Sequence, residues 1–224
     1  PPAPPARAAA AGFAPLDTGP APDGGPGQAH LYIGQRTIPR SHPDRIALEV
    51  VGVALGAGAG LIGRLPTRIR EEAGLAYAVD VATAAGAGLD DGRLAIYAGT
   101  SPDAIAEVEG MVREELTQLC DDGPRGGLDD GAFETARGYL LGRLPFQRET
   151  ARQWTQLIAD ATLYGVPFDQ PGWTEAQLRA LTRADAEAAA RRWLQPDTLC
   201  VTVGVALPPG MRADDGAPAA AASS

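Results

Sequence analysis

The 224-residue chain contains no lysine. All 19 of its basic residues are arginine, set against 28 Asp and Glu, for a net charge of -9. A chain this acidic lacks the basic face that a phosphate backbone requires, so nucleic acid is excluded as a partner. Cysteine is nearly absent: Cys120 and Cys200 stand far apart, fit no metal-ligand spacing, and read as reduced thiols of a cytoplasmic protein. Histidine is equally scarce. His30 and His42 belong to no H-E-x-x-H or H-x-x-E-H pair. Zinc catalysis needs donors converging on one ion, usually with two histidines on one helix, so no metal is expected on this chain itself. There is no G-x-S-x-G nucleophile elbow. Nothing approaches the run of about 18 apolar residues that a membrane span needs. The N-terminus has neither Met nor the apolar centre of a signal peptide, and reads as processed, tag-cleaved or a fragment.

Against these gaps, 45% of the residues are hydrophobic, enough for one substantial core or two small ones. Both ends are poor in periodicity. Residues 1–27 are rich in Pro, Ala and Gly, and residues 208–224 are small, polar and proline-containing. Both are expected to be disordered tails flanking a folded unit over 28–207. Within it, residues 28–38 alternate as a strand, with Leu31 and Ile33 against His30 and Tyr32. Ser41, Pro43 and Asp44 then suit a capped helix running to about Leu55. Residues 75–83 and 93–100 alternate as two strands of a hairpin across a Gly- and Asp-rich turn. After Ser101-Pro102 a helix presents Ile105, Val108, Val112, Leu116 and Leu119 as its buried stripe. A long helical region from Asp129 or Asp130 to about Tyr164 breaks at Pro145, helical patterning resumes over 174–194 with a restart at Thr182 and Asp185, and residues 198–205 close as a strand. This order predicts an α+β domain, helices packed on a mainly antiparallel sheet.

Residues 55–79, LGAGAGLIGRLPTRIREEAGLAYAV, concentrate the unusual features. Gly58, Gly60 and Gly63 satisfy G-x-G-x-x-G by count, but a helix rather than a strand precedes them and βαβ units are lacking, so a nucleotide site is disfavoured. A structural turn and a flexible loop facing substrate both stay open, the latter with Gly58 and Gly60 as substrate-binding positions. Gly74 is placed to stop a short helix over 64–72 and turn the chain directly into the next strand. Arg70 and Tyr77 then come to one lip of the sheet, where a guanidinium can hold a carbonyl or carboxylate and a phenol can donate to an oxyanion. The plainer alternative is equally definite. Tyr77 shares strand parity with Leu75 and Val79 and belongs in the core on that count, while Arg70 has Glu71 and Glu72 beside it for pairing.

The residues Leu55-Gly56, Gly63-Arg64-Leu65, Ile69-Arg70-Glu71 and Gly74-Leu75-Ala76-Tyr77 resemble the C-terminal-type domain of the pitrilysin family of peptidases, which includes insulin-degrading enzyme and mitochondrial processing peptidase. The resemblance extends over about residues 28–205. It implies a single α+β domain that works as one of a pair enclosing a chamber. In such pairs one domain bears H-x-x-E-H and zinc, and the other supplies an arginine and a tyrosine, which match Arg70 and Tyr77 here. The resemblance therefore implies no cofactor in this chain, zinc in an H-x-x-E-H-bearing partner subunit, a heterodimer, and a peptide substrate. The loop departs from the family's usual G-G-G-x-x-S-R-L: it is longer and lacks the serine. A scaffold subunit of the same fold with no catalytic contribution is the alternative the resemblance leaves standing.

Overall fold

The computed structural model describes residues 15–17, 27–58, 63–123 and 126–205. Five strands form one sheet: β1 (Pro15–Asp17), β2 (Ala29–Arg36), β3 (Ala76–Ala85), β4 (Arg93–Thr100) and β5 (Cys200–Val205). Their spatial order is β1-β5-β2-β4-β3. Every neighbouring pair is antiparallel except β1 with β5. β1 lies within the stretch read as an N-terminal tail; three of those residues extend the sheet. The α+β architecture with a mainly antiparallel sheet is the one the sequence pattern predicts.

Alternation decides which face of the sheet meets the helices. Leu31 and Ile33 of β2 and Leu94, Ile96 and Ala98 of β4 are buried, while Tyr32 on the opposite face of β2 is exposed. The buried face is covered by α1 (Arg45–Leu55), α3 (Ile105–Cys120), α4 (Asp130–Arg143) and α7 (Arg183–Trp193), with α5 (Ala151–Tyr164) and α6 (Gln170–Ala180) completing the helical layer. α1 is the central helix. It packs on β3, α4 and α7 together and buries nine of its eleven residues, so its sequence is apolar nearly all round rather than on one stripe.

The expected helix signals are met unevenly. Pro145 opens a short 3-10 turn, Pro145–Gln147, that separates α4 from α5, and Thr182 with Asp185 forms the capping box of α7. The box expected at Ser41 does not form. α1 begins at Arg45, and Asp44 makes no side-chain cap bond. Its carboxylate instead accepts from Trp193 Nε1 at 2.7 Å and Arg192 Nη1 at 2.8 Å, tying the start of α1 to the end of α7. Gly58 follows helix α1 rather than a strand, which removes the context a dinucleotide fingerprint needs.

Candidate functional site

The short helix over 64–72 is two pieces. α2 (Arg64–Pro66) continues as a π-helical turn, Thr67–Glu72, whose wider closure is marked by Ala73 N donating to Arg68 O at 3.1 Å. Leu65 and Ile69 are fully buried and hold this segment to the core. At about 1.5–3 kcal/mol for each buried aliphatic side chain, the two anchors outweigh the poorer hydrogen bonding of a π turn. A second tether is ionic. Glu115 of α3 accepts from Arg64 Nε at 2.8 Å and from Arg68 Nη1 at 2.9 Å, and Arg64 also reaches Gly127 O at 2.9 Å. Arg68 pairs further with Glu114, and those two carboxylates raise the affinity of its guanidinium for its proton. Gly74 takes the left-handed conformation at φ +66 and ends the turn, with Leu75 N donating back to Ile69 O at 2.9 Å.

Tyr77 is where period-two counting fails. The register of β3 on β4 steps from Ala76–Thr100 to Ala78–Gly99, leaving Tyr77 as the extra residue of a β-bulge. Ala76 and Val79 are buried, and Tyr77 is turned out with 69% of its surface exposed. It is not a core tyrosine. Its hydroxyl donates to Gln28 Oε1 at 3.2 Å. Beside it lies a cleft of about 390 Å³ lined by Gln28, Gly74, Leu75, Tyr77, Gly99, Thr100 and Asp103, among others. Deeper along the same sheet face, Tyr97 sits within 5.0 Å of Tyr32, ring to ring, and its hydroxyl is 2.9 Å from His30 Nδ1. Burial first, then the neighbouring Tyr77, Tyr32 and Asp80, holds the Tyr97 phenol above its ordinary pKa.

Arg70 sits in the π turn, one reversal of the chain away from Tyr77. Its Nη2 donates to Glu71 Oε1 at 3.2 Å, and it is not among the residues lining the Tyr77 cleft. Gly58 is placed elsewhere: with φ +138 it packs on Tyr139 and edges a separate cavity of about 350 Å³. Gly60 lies outside the described residues. Two features escaped the sequence reading, Gln28 as partner of Tyr77 and the Arg64–Glu115–Arg68 network. Glu115 did leave a signal, since it falls three residues after Val112 on the apolar stripe of α3.

The donor chemistry for a metal is lacking among the described residues, where no three His, Cys, Asp or Glu side chains converge. His30 is engaged with Tyr97, and His42 accepts from Asp44 N at 3.0 Å while its ring packs edge-on to Trp193. Zinc therefore does not fit these residues. Cys120 is packed beneath α7, its sulfur 3.5 Å from Leu194 O, and burial pushes its thiol up to about 11, far from a nucleophile's range.

The chain matches the family described as the peptidase M16 inactive domain over residues 20–140, more than half its length. It belongs to the peptidase M16 family. Within it, this inactive domain is 35% identical over 139 residues to an uncharacterized zinc protease of Mycobacterium leprae (strain TN), covering 62% of this chain and 29% of that one. It is 30% identical over 167 residues to an uncharacterized zinc protease of Mycobacterium bovis, covering 75% of this chain and 36% of the relative. The chain thus spans about a third of the length of the curated relatives it matches. Among solved structures, the peptidase M16 inactive domain from Pseudomonas fluorescens superposes with a TM-score of 0.70 at 22% identity, covering 81% of this chain and 42% of that one. The inactive peptidase domain of a Bordetella parapertussis protein superposes with a TM-score of 0.64 at 17% identity, covering 80% of this chain and 92% of that one. Both likenesses are of fold.

Proposed function

We propose that this M16 inactive domain is the non-zinc half of a zinc peptidase, paired with an H-x-x-E-H-bearing subunit as a heterodimer, and that it closes the chamber and contributes Arg70 and Tyr77 to peptide-bond hydrolysis. The observation that carries this reading is the bulge at Tyr77. A register irregularity that costs one ladder pairing turns a phenol out of the core and beside an open cleft, which supports a role in chemistry over one in packing. The partner's zinc supplies the activated water. Tyr77 donates a hydrogen bond to the oxyanion that forms on the scissile carbonyl, and Arg70, on the adjoining π turn, anchors the peptide. The outer edge of β3 has no strand beside it among the described residues, so an extended peptide can add there as a further strand, running past Tyr77. Gly58 and Gly60 are assigned to the substrate-facing loop. The cavity beside Gly58 and Tyr139 supports this, being roomy enough for one peptide side chain.

The test is made on the full-length protein with its zinc-bearing partner and an internally quenched peptide. Replacing Tyr77 by Phe removes one oxyanion donor and lowers kcat about 10²- to 10³-fold while assembly is retained. Turnover at the wild-type rate would refute the role. A second reading, a non-catalytic scaffold, draws on Arg70, whose guanidinium is engaged with Glu71 and does not line the cleft. It predicts that Arg70→Ala and Tyr77→Phe both leave kcat and KM unchanged.

A further inference from the structure

Gln28 precedes β2 and reaches across the end of β4 to the bulge. Its Oε1 accepts a hydrogen bond from the Tyr77 hydroxyl at 3.2 Å. Its Nε2 is buried and, among the described residues, has no hydrogen-bond partner; it is the single buried side-chain nitrogen or oxygen there in that condition. Leaving a buried amide donor unmade is costly, and such a group needs an account. The pocket holding it is built around a missing side chain. A Cβ at Gly99 would fall 2.6 Å from Gln28 Nε2, 3.0 Å from the Tyr97 hydroxyl oxygen and 3.3 Å from Tyr77 Cε1. Gly99 thus leaves just the space in which the Gln28 amide lies between the two phenols.

A phenol has one proton. While Tyr77 gives it to Gln28, it has none for a substrate oxyanion. A half-turn of the Gln28 amide exchanges Oε1 and Nε2. The orphaned N–H is then donated to the phenol oxygen, and the phenol proton is released toward the cleft. We propose that Gln28 is the positioning residue for Tyr77: its amide fixes the phenol in place and, by donating to the phenol oxygen, frees the Tyr77 O–H for the oxyanion. This rests on the assignment of Tyr77 to the reaction.

The experiment compares Gln28→Glu, Gln28→Met and Tyr77→Phe, singly and in combination, in the full-length protein with its zinc-bearing partner, using an internally quenched peptide. A carboxylate at position 28 can only accept, so it locks the phenol proton away, and Gln28→Glu lowers kcat about 10- to 100-fold with little change in KM. Gln28→Met, which neither donates nor accepts at that distance, lowers kcat about 5-fold. In the Tyr77→Phe background neither substitution has a further effect, which a merely structural residue would not show. Wild-type kcat for Gln28→Glu, with Tyr77→Phe slow, overturns the proposal and leaves the Tyr77 assignment intact. So does an equal loss from Gln28→Glu with and without Tyr77→Phe. Wild-type kcat for Tyr77→Phe alone overturns both, and the single substitution identifies that case.

Discussion

Glu115 holds the π turn to α3, and its removal should be felt across the domain. The Glu115 side chain is 9% exposed, and its two partners, Arg64 and Arg68, are 22% and 30% exposed. Replacing Glu115 by Ala leaves two half-buried guanidinium groups facing a gap. Breaking a buried ion pair from one side costs about 3–5 kcal/mol. The lower end applies here, because Arg64 keeps Gly127 O and Gln118 Oε1 and Arg68 keeps Glu114 as acceptors. At about 2–4 °C per kcal/mol for a domain of this size, Glu115→Ala lowers Tm by roughly 6–12 °C. Glu115→Gln keeps the shape and one acceptor and costs only about 1–2 kcal/mol. Thermal unfolding followed by circular dichroism measures both. The wild-type contribution persists in 1 M salt, because a buried pair is poorly screened. A Glu115→Ala protein melting within about 2 °C of wild type would refute the claim that this pair secures the segment, since even a surface pair can account for a shift that small.

Two further outcomes follow from the geometry. Gly63 sits at φ +130, and a Cβ there would lie 2.4 Å from Gly56 Cα and 2.5 Å from Gly56 N, so Gly63→Ala meets both strain and a backbone clash. It destabilises by about 3 kcal/mol or more, read as a lower urea midpoint; an unchanged midpoint counts against that packing. Cys120, with its thiol pushed up to about 11 by burial, reacts with a disulfide reagent at pH 8 about 100-fold or more slowly than an ordinary cysteine near 8.5, and its rate climbs with pH until that value is passed. Labelling kinetics in a Cys200→Ser background decide this, and reaction at an ordinary rate would show the thiol is not held back.

Much of the fold was legible because local chemistry and global packing agree along most of the chain. The alternation of Leu31 and Ile33 with His30 and Tyr32, the apolar stripe of α3, the break at Pro145 and the box at Thr182 each carry their own local cause. Where tertiary contacts override local preference, the sequence misleads. Asp44 looks like part of a cap but is taken by Trp193 and Arg192, from a helix nearly 150 residues away. Tyr77 has core parity until the bulge shifts the count, and no residue in Ala76-Tyr77-Ala78 is a glycine or proline that would announce it. Gln28 was invisible for a different reason. It opens the stretch that reads as a strand, where nothing marks it from its neighbours, and only the chain reversal at Gly74 brings Tyr77 onto it.

The bulge at Tyr77 separates two kinds of information that most strands carry together. Deleting Tyr77 alone would restore regular pairing, with Ala76 opposite Thr100 and Ala78 opposite Gly99, and leave Ala76, Val79 and Val81 in the core. The same deletion would take the phenol out of the cleft. Substitution is not needed to remove the proposed role: the outward phenol depends on the length of a strand, and a change of three nucleotides can erase it without disturbing the structure that carries it.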